Sequence, residues 1–142
     1  MTDAAYRAKR ELQSYRQLDK RISEMRERVA AIAERATRAT PSLEAERVSG
    51  SGDRSRVEQA VAAKVDLERQ LDGMIADLGA RRKAIQDAIH AMQDEREKRL
   101  LELRYIDGRS WASVMTRMEV GETWSKTIHA SALEHFSEIF FD

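Results

Sequence analysis

Apolar or small residues recur in alternating steps of three and four along the first third of the chain. The seam consists of Tyr15, Leu18, Ile22, Met25, Val29, Ile32 and Ala36, with charged residues between them. This heptad spacing packs one side of a long helix against another helix. We predict that the helix begins near Asp3 and ends before Pro41, because Thr40 precedes a proline and favours extended backbone.

A second helical stripe follows a Ser/Gly-rich turn that we predict near residues 49–53. Its members are Val57, Val61, Leu71, Ile75, Leu78, Ile85, Ile89 and Met92. We expect this helix to be capped by Asp53 or Ser55 and to continue unbroken to about Lys98. The two stripes face each other if the chain folds back, so residues 1–98 are predicted to form a long antiparallel, coiled-coil-like helical hairpin. Because two helices enclose only a thin core, we expect a homodimer.

The pattern changes after residue 98. Gly108 suits the left-handed end of a helix, and Ser110 is a good N-cap. The short helix that follows carries Trp111, Val114, Met115 and Met118 on one face. Gly121 or Thr123 opens a last helix, whose inner side is predicted to hold Trp124, Ile128, Ala132, Leu133 and Phe136. Residues 99–142 are therefore predicted to form a helix-turn-helix domain, and the whole fold is predicted to be all-α.

Composition and motifs narrow the function classes. The 142 residues include no Cys, which excludes a disulfide framework and a Cys-based metal site. His90 and His135 have no partners at metal-ligand spacing. No nucleophile–base pair or Gly-rich phosphate loop stands out. No apolar run is long enough to span a bilayer, and the N-terminus lacks the apolar core of a signal peptide. We expect a non-enzymatic, cytoplasmic protein with no catalytic residue, metal or cofactor.

The segment LLELRYIDGRSWASVMTRMEVGETWSKTIHASAL resembles sigma-70 region 4-like domains. It is closer still to small phage and prophage late transcription regulators of the RinA/ArpU type. The residues that carry the resemblance are Leu101, Arg104, Tyr105, Ile106, Gly108, Ser110, Trp111, Val114, Met118, Trp124, Ile128, His129, Ala132 and Leu133. This resemblance implies a regulator in the cytoplasm of a bacterial host cell that binds duplex DNA and acts with RNA polymerase.

Candidate DNA-contacting residues flank and follow the presumed turn. They are Arg104, Arg109, Ser110, Arg117, Glu122, Thr123, Lys126 and Thr127. Among those on the last helix, Lys126 is the only cation, and Glu122 would repel phosphate, although a carboxylate can accept a hydrogen bond from cytosine. This weak basic character and the zero net charge keep a second hypothesis open. In it the domain has lost DNA binding and is a protein-interaction module for RNA polymerase or a phage packaging component.

Several side chains are predicted to be structural. Trp111 and Trp124 are expected in the core, as is Tyr105. His129 is expected either in the core or at a subunit contact. Asp94, Glu95 and Glu97 are expected to form a solvated helix face.

Overall fold

The computed structural model describes the backbone of residues 1–45 and 51–142 and the side chains of residues 1–35 and 54–142. The helices are α1 (Asp3–Ala45), α2 (Ser51–Ala91), α3 (Glu95–Leu101), α4 (Trp111–Met118) and α5 (Glu122–Phe140), with a π-helical turn (Glu102–Ile106) directly after α3. None of the described residues lies in a β-strand, which confirms the all-α prediction for this part of the chain. None of these helices contains a stretch apolar and long enough to cross a lipid bilayer.

The C-terminal end of α1 and the N-terminal end of α2 differ from the prediction. α1 continues through Pro41 to Ala45. A proline inside a helix removes one backbone donor and its ring crowds the preceding turn, at a cost of about 3 kcal/mol, yet the helix of 43 residues continues past it. α2 begins at Ser51, so the predicted caps at Asp53 and Ser55 lie inside the helix. Residues 49 and 50 of the predicted Ser/Gly turn near 49–53 lie outside the described residues.

The prediction that the second helix runs unbroken to Lys98 is wrong. α2 ends at Ala91, and Asp94 caps a new helix. The Asp94 carboxylate accepts hydrogen bonds from the backbone N–H groups of Arg96 and Glu97 at 2.8 and 3.3 Å. These bonds satisfy two donors that would otherwise lack partners at a helix start, and they stabilise the break.

The chain divides into two compact units, one formed by Met1–Asp19 with Leu78–Asp142 and the other by Lys20–Asp77. This division differs from the boundary between residues 98 and 99 that we inferred from the sequence, and that boundary stays a prediction. In the first unit α1 contacts α2, since the Arg81 guanidinium donates to Ser14 Oγ at 3.0 Å.

The first unit holds one continuous apolar core. α1 contributes Ala5, Ala8, Leu12 and Tyr15, in steps that extend the predicted heptad seam toward the N-terminus. Later helices contribute Ile85, Ala88, Ile89, Met92, Leu100, Leu101, Leu103, Tyr105, Val114, Ile128, Ala132, Leu133 and Phe136. The N-terminal part of α1 therefore packs in the same core as the helices that were predicted to form a separate domain.

The second unit buries few side chains. Among its residues with described side chains, the buried ones are Ile22, Met25 and Leu71. Val57, Val61 and Ile75 of the predicted stripe are exposed, as is Val65. The expectation that all of this stripe is packed is therefore wrong for these positions, because a single helix-to-helix contact covers only a narrow strip of each helix.

Candidate nucleic-acid interface

Local backbone chemistry fixes the start of α4. Gly108 has a φ of 69°, the left-handed conformation predicted for it. The Arg109 N–H donates to the Leu103 carbonyl at 3.0 Å and closes the turn. Ser110 then accepts a hydrogen bond on its Oγ from the Ser113 N–H at 3.2 Å, which confirms the predicted N-cap.

A three-residue turn joins α4 to α5. Glu119 is left-handed with a φ of 57°, and its N–H donates to the Thr116 carbonyl at 3.3 Å. The Val120 N–H donates to the Met115 carbonyl at 3.1 Å, which satisfies a second carbonyl of the last turn of α4. Gly121 has extended backbone and precedes α5 without a side-chain cap.

The first two turns of α5 present four of the predicted DNA-contacting residues to solvent. Glu122, Thr123, Lys126 and Thr127 are all exposed, and we call them the exposed face of α5. The Thr127 hydroxyl donates to the Thr123 carbonyl at 3.0 Å, so it is engaged by its own helix. This face remains accessible to a partner.

Trp124 lies outside the core, which corrects its predicted position. The buried residues of α5 are Ser125, Ile128, His129, Ala132, Leu133, Phe136 and Ser137. One residue is about 100° around an α-helix, so burying position 125 leaves Trp124 61% exposed. Ser125 tolerates burial because its hydroxyl donates to the Glu122 carbonyl at 2.8 Å.

Lys126 and Glu122 form an ion pair on the exposed face of α5. Lys126 Nζ lies 3.1 Å from Glu122 Oε1, and both side chains are 76% exposed. An exposed pair at this spacing contributes only about 0.3–0.5 kcal/mol. Lys126 can therefore leave Glu122 for a more strongly negative partner, but the pair reduces the positive potential of the free protein.

The arginines that were predicted to contact DNA differ in their exposure and in their hydrogen bonds. Arg104 is half-buried; its Nη1 donates to the Arg109 carbonyl at 2.8 Å and its guanidinium lies over the Trp111 ring at 4.7 Å. Arg109 Nη1 lies 3.4 Å from Ser113 Oγ. The Nε atoms of both arginines are buried without a hydrogen-bond partner among the described residues. Arg117, near the end of α4, is exposed.

A pocket of about 350 Å³ lies beside the exposed face of α5 in the first unit. Its walls are Lys9 and Gln13 of α1, Arg104 and Tyr105 of the π-helical turn, Trp111 and Met115 of α4, and Glu122, Ser125, Lys126 and His129 of α5. The structure thus brings Arg104, Lys126 and Glu122 together around one cavity. Lys9 and Gln13 were not predicted as site residues, although their helical spacing puts them on one face of α1.

Two buried polar groups meet at this pocket. The Tyr105 hydroxyl and His129 Nε2 share a hydrogen bond of 2.8 Å, and Trp111 packs edge-on against the His129 ring with centroids 4.7 Å apart. Burial raises the pKa of Tyr105 to about 12. Burial, and then repulsion from Lys9 and Arg104, lowers the pKa of His129 to about 4. Both side chains are therefore uncharged at neutral pH, and their predicted burial is confirmed.

A separate polar cluster joins α3 to α5. Glu97 is buried, which corrects its prediction as a solvated residue. Ser131 Oγ donates to Glu97 Oε1 at 2.5 Å, and His135 Nδ1 lies 2.7 Å from Glu97 Oε2. This hydrogen bond to the carboxylate raises the pKa of His135. Because serine and histidine bind the carboxylate separately and not each other, the cluster is a clamp between helices and lacks the arrangement of a nucleophile with its base.

Comparison with known proteins identifies a family. The sequence-family model for a protein of unknown function, DUF722, matches residues 15–138. The chain belongs to the DUF722 family. The match includes α4, α5 as far as residue 138, and all eight residues that were predicted to contact DNA. No curated protein and no solved structure matches this DUF722 chain.

The described part of the DUF722 chain contains no group of three or more His, Asp or Glu side chains placed to hold a metal ion.

Proposed function

We propose that this chain is a non-enzymatic, phage-type transcription regulator that acts in the cytoplasm of a bacterial host cell. It binds duplex DNA through a helix-turn-helix formed by α4, the three-residue turn and α5. A helical hairpin formed by α1 and α2 mediates dimerisation or contacts RNA polymerase.

The observation that carries this proposal is the exposed face of α5. In a helix-turn-helix, the N-terminal residues of the second helix contact base edges in the major groove. Thr123 offers a hydroxyl group there, the Thr127 hydroxyl oxygen can still accept a hydrogen bond, and Lys126 offers a cation. Glu122 accepts a hydrogen bond from the amino group of a cytosine. The side chains that enter the groove in this arrangement are thus free of the protein core.

Charge sets the expected strength of binding. Residues 104–127 carry four basic and three acidic side chains, so one copy attracts phosphate weakly. Arg117 and Lys126 are the exposed cations of this segment. Two copies that bind half-sites one helical turn of DNA apart, about 34 Å, double the number of phosphate contacts. The proposal therefore requires a dimer for useful affinity.

An exposed apolar row on α2 supports dimerisation. Val57, Val61 and Val65 recur every four residues, which places them on one side of the helix. Light scattering of the whole chain tests this part of the proposal. We expect a dimer that dissociates in Val61→Glu, because a buried carboxylate in an apolar contact is strongly unfavourable.

DNA binding is tested by fluorescence anisotropy with duplexes selected from a random pool, each long enough for two half-sites. We expect the logarithm of the association constant to fall with the logarithm of salt concentration by about 0.9 per phosphate contact. Lys126→Gln in both copies of a dimer lowers this slope by about 2. Absence of duplex binding at low salt contradicts the proposal.

The chain offers a matched control for Lys126. Lys83 of α2 is 79% exposed and forms an i,i+4 ion pair with Asp87 at 2.8 Å, like the pair between Lys126 and Glu122. Lys83→Gln removes the same charge in the same setting, but away from α5. We expect it to leave both affinity and salt slope unchanged.

The exposure of Trp124 favours a second candidate function. An exposed tryptophan of this kind is a typical anchor in protein–protein interfaces, and the domain's weak basic character fits a protein partner better than DNA. In this version the α4–α5 region contacts RNA polymerase or a packaging component. Pull-down from nuclease-treated lysate distinguishes the two candidates, since Trp124→Ala then loses the partner whereas Lys126→Gln retains it.

A further inference from the structure

The pocket beside α5 has the features of a small-molecule site. Its volume of about 350 Å³ lies in the range that binds small ligands. It is walled by α1, the π-helical turn, α4 and α5, so its shape is fixed by four packed elements. Such concave sites with a few convergent polar groups are where ligands bind in most proteins.

The polar groups around the pocket favour an anion. Lys9, Arg104 and Lys126 line it, against one carboxylate, Glu122. Because Glu122 is already paired with Lys126, the charges of Lys9 and Arg104 remain in excess. Arg104 Nε is buried and has no hydrogen-bond partner among the described residues, so this donor is unsatisfied. Gln13 adds a neutral amide to the same wall.

The titration behaviour of the lining groups agrees with an excess of positive charge. The neighbouring cations Lys9 and Arg104 depress the pKa of His129 in addition to the effect of burial. Burial, and then repulsion from Arg16, likewise lowers the pKa of Arg104. A bound anion relieves this repulsion.

The apolar part of the wall favours a planar ring. Trp111 packs edge-on against His129, and the Tyr105 ring stacks on His129 with centroids 5.9 Å apart. Met115 adds a polarisable thioether to the same lining. Aromatic surfaces and thioethers pack well against flat aromatic ligands.

We propose that this pocket binds a small aromatic anion, whose ring packs against Trp111 and Met115. Its carboxylate or phosphate meets Lys9 and Arg104, and also Lys126, which leaves its exposed ion pair with Glu122. The evidence for this site is the geometry of the first unit alone, and it does not depend on DNA binding by α5. Loss of DNA binding in the experiments above therefore leaves this proposal intact.

Isothermal titration calorimetry with defined probes tests the site on the full chain. The probes are 2-naphthoate and 1-naphthyl phosphate, and 2-naphthamide is the neutral control of the same shape. We expect saturable binding of at least one anion with one site per chain, and binding of the amide that is weaker by about ten-fold, since a charge-assisted hydrogen bond is stronger than a neutral one. Comparing the two anions distinguishes a carboxylate site from a phosphate site.

Charge-removing variants then locate the binding site. Lys126→Gln and Lys9→Gln are each expected to lower the affinity for the bound anion by about five-fold, because each removes one partly solvated ionic contact. Lys83→Gln is the matched control and should leave the affinity unchanged. Circular dichroism melting curves verify that each variant is folded.

The proposal is overturned if neither anion binds saturably, or if the neutral amide binds as well as the anions. It is equally overturned if Lys83→Gln weakens binding as much as Lys126→Gln does, because the probes then follow general surface charge. A change in the Trp111 indole N–H resonance on adding the bound anion, without a change at Trp124, supports the site directly.

Discussion

The Tyr105 hydroxyl lies 2.8 Å from His129 Nε2 and joins the π-helical turn to the middle of α5. Both side chains are buried, so this bond satisfies two polar groups that would otherwise be costly in the core. It also fixes the rotation of α5 about its axis, because His129 must face the π-helical turn. The same rotation turns Lys126 toward the pocket and Trp124 toward solvent.

His129 makes the folded state sensitive to acid. Its pKa is about 4 in the folded chain against an ordinary value of 6.5. Below pH 6.5 His129 binds a proton in the unfolded chain, but in the folded chain it does so only near pH 4. The contribution of the neutral His129 to the free energy of unfolding is therefore complete above pH 6.5 and is lost as the pH falls. We expect His129 to contribute a loss of about 2 kcal/mol in the free energy of unfolding between pH 7.5 and pH 5.

Urea unfolding of the wild-type chain and of His129→Gln across this pH range measures the effect. The glutamine can still hydrogen-bond Tyr105 but does not titrate, so its free energy of unfolding should fall less steeply toward acid. Parallel pH curves for the two chains contradict the prediction.

His135 is expected to act in the opposite direction. Its hydrogen bond to Glu97 raises its pKa, so the stabilisation is fully present below pH 6.5 and is lost as the pH rises through the folded value. An NMR titration of the ring protons should show a pKa above 6.5 in the wild-type chain, and a lower one in Glu97→Gln.

Two neighbouring acids provide controls for Glu97. Glu134 and Glu138 also raise the pKa of His135, but through charge alone and more weakly. Neutralising either one should therefore shift the titration less than Glu97→Gln does. An equal shift in all three variants would mean that the buried hydrogen bond is not the main cause.

The parts of the fold that the sequence predicted correctly depend on neighbouring residues. Gly108 is recognisable because a left-handed position suits glycine, and Ser110 because a helix start needs an oxygen acceptor. The break before α3 has a local signal too: Asp94 is followed three residues later by Glu97, the spacing of a capping box. No glycine or proline lies between Met92 and Lys98, so the pattern favours a continuous helix and obscures that signal. Glu97 in fact bonds to α5.

Which side chains line the candidate site depends on contacts between residues that are far apart in the sequence. Trp124 was expected inside because it is large and apolar, but the inner face of α5 is set by the partners of His129, Ser131 and His135 on other helices. Lys9 and Gln13 reach the pocket because α1 packs in the same core as α5. The spacing of apolar residues along α1 indicates a packed face but does not identify α5 as a partner.

Gly108 and Glu119 form a matched pair for testing backbone strain, since both have left-handed backbone. A Cβ at Gly108 would meet no atom within 4 Å, so Gly108→Ala costs backbone strain alone, about 1 kcal/mol of unfolding free energy. Glu119→Gly removes such strain and should stabilise the chain by about 0.5 kcal/mol, after the greater entropy of an unfolded glycine is subtracted. Urea unfolding measures both, and destabilisation by Glu119→Gly would rule out this account of the turn.

Glu122 is predicted to limit DNA affinity. Its carboxylate holds Lys126 at 3.1 Å and repels phosphate, so Glu122→Gln frees the lysine and removes one negative charge from the exposed face of α5. We expect non-specific duplex affinity to rise by about three-fold at low salt and the gain to shrink as salt screens the charges. Asp87→Asn frees Lys83 in the same way on α2 and is the matched control, with no expected change. If both variants raise the affinity equally, net charge alone is responsible; if Glu122→Gln lowers affinity for a selected site only, Glu122 reads a base there.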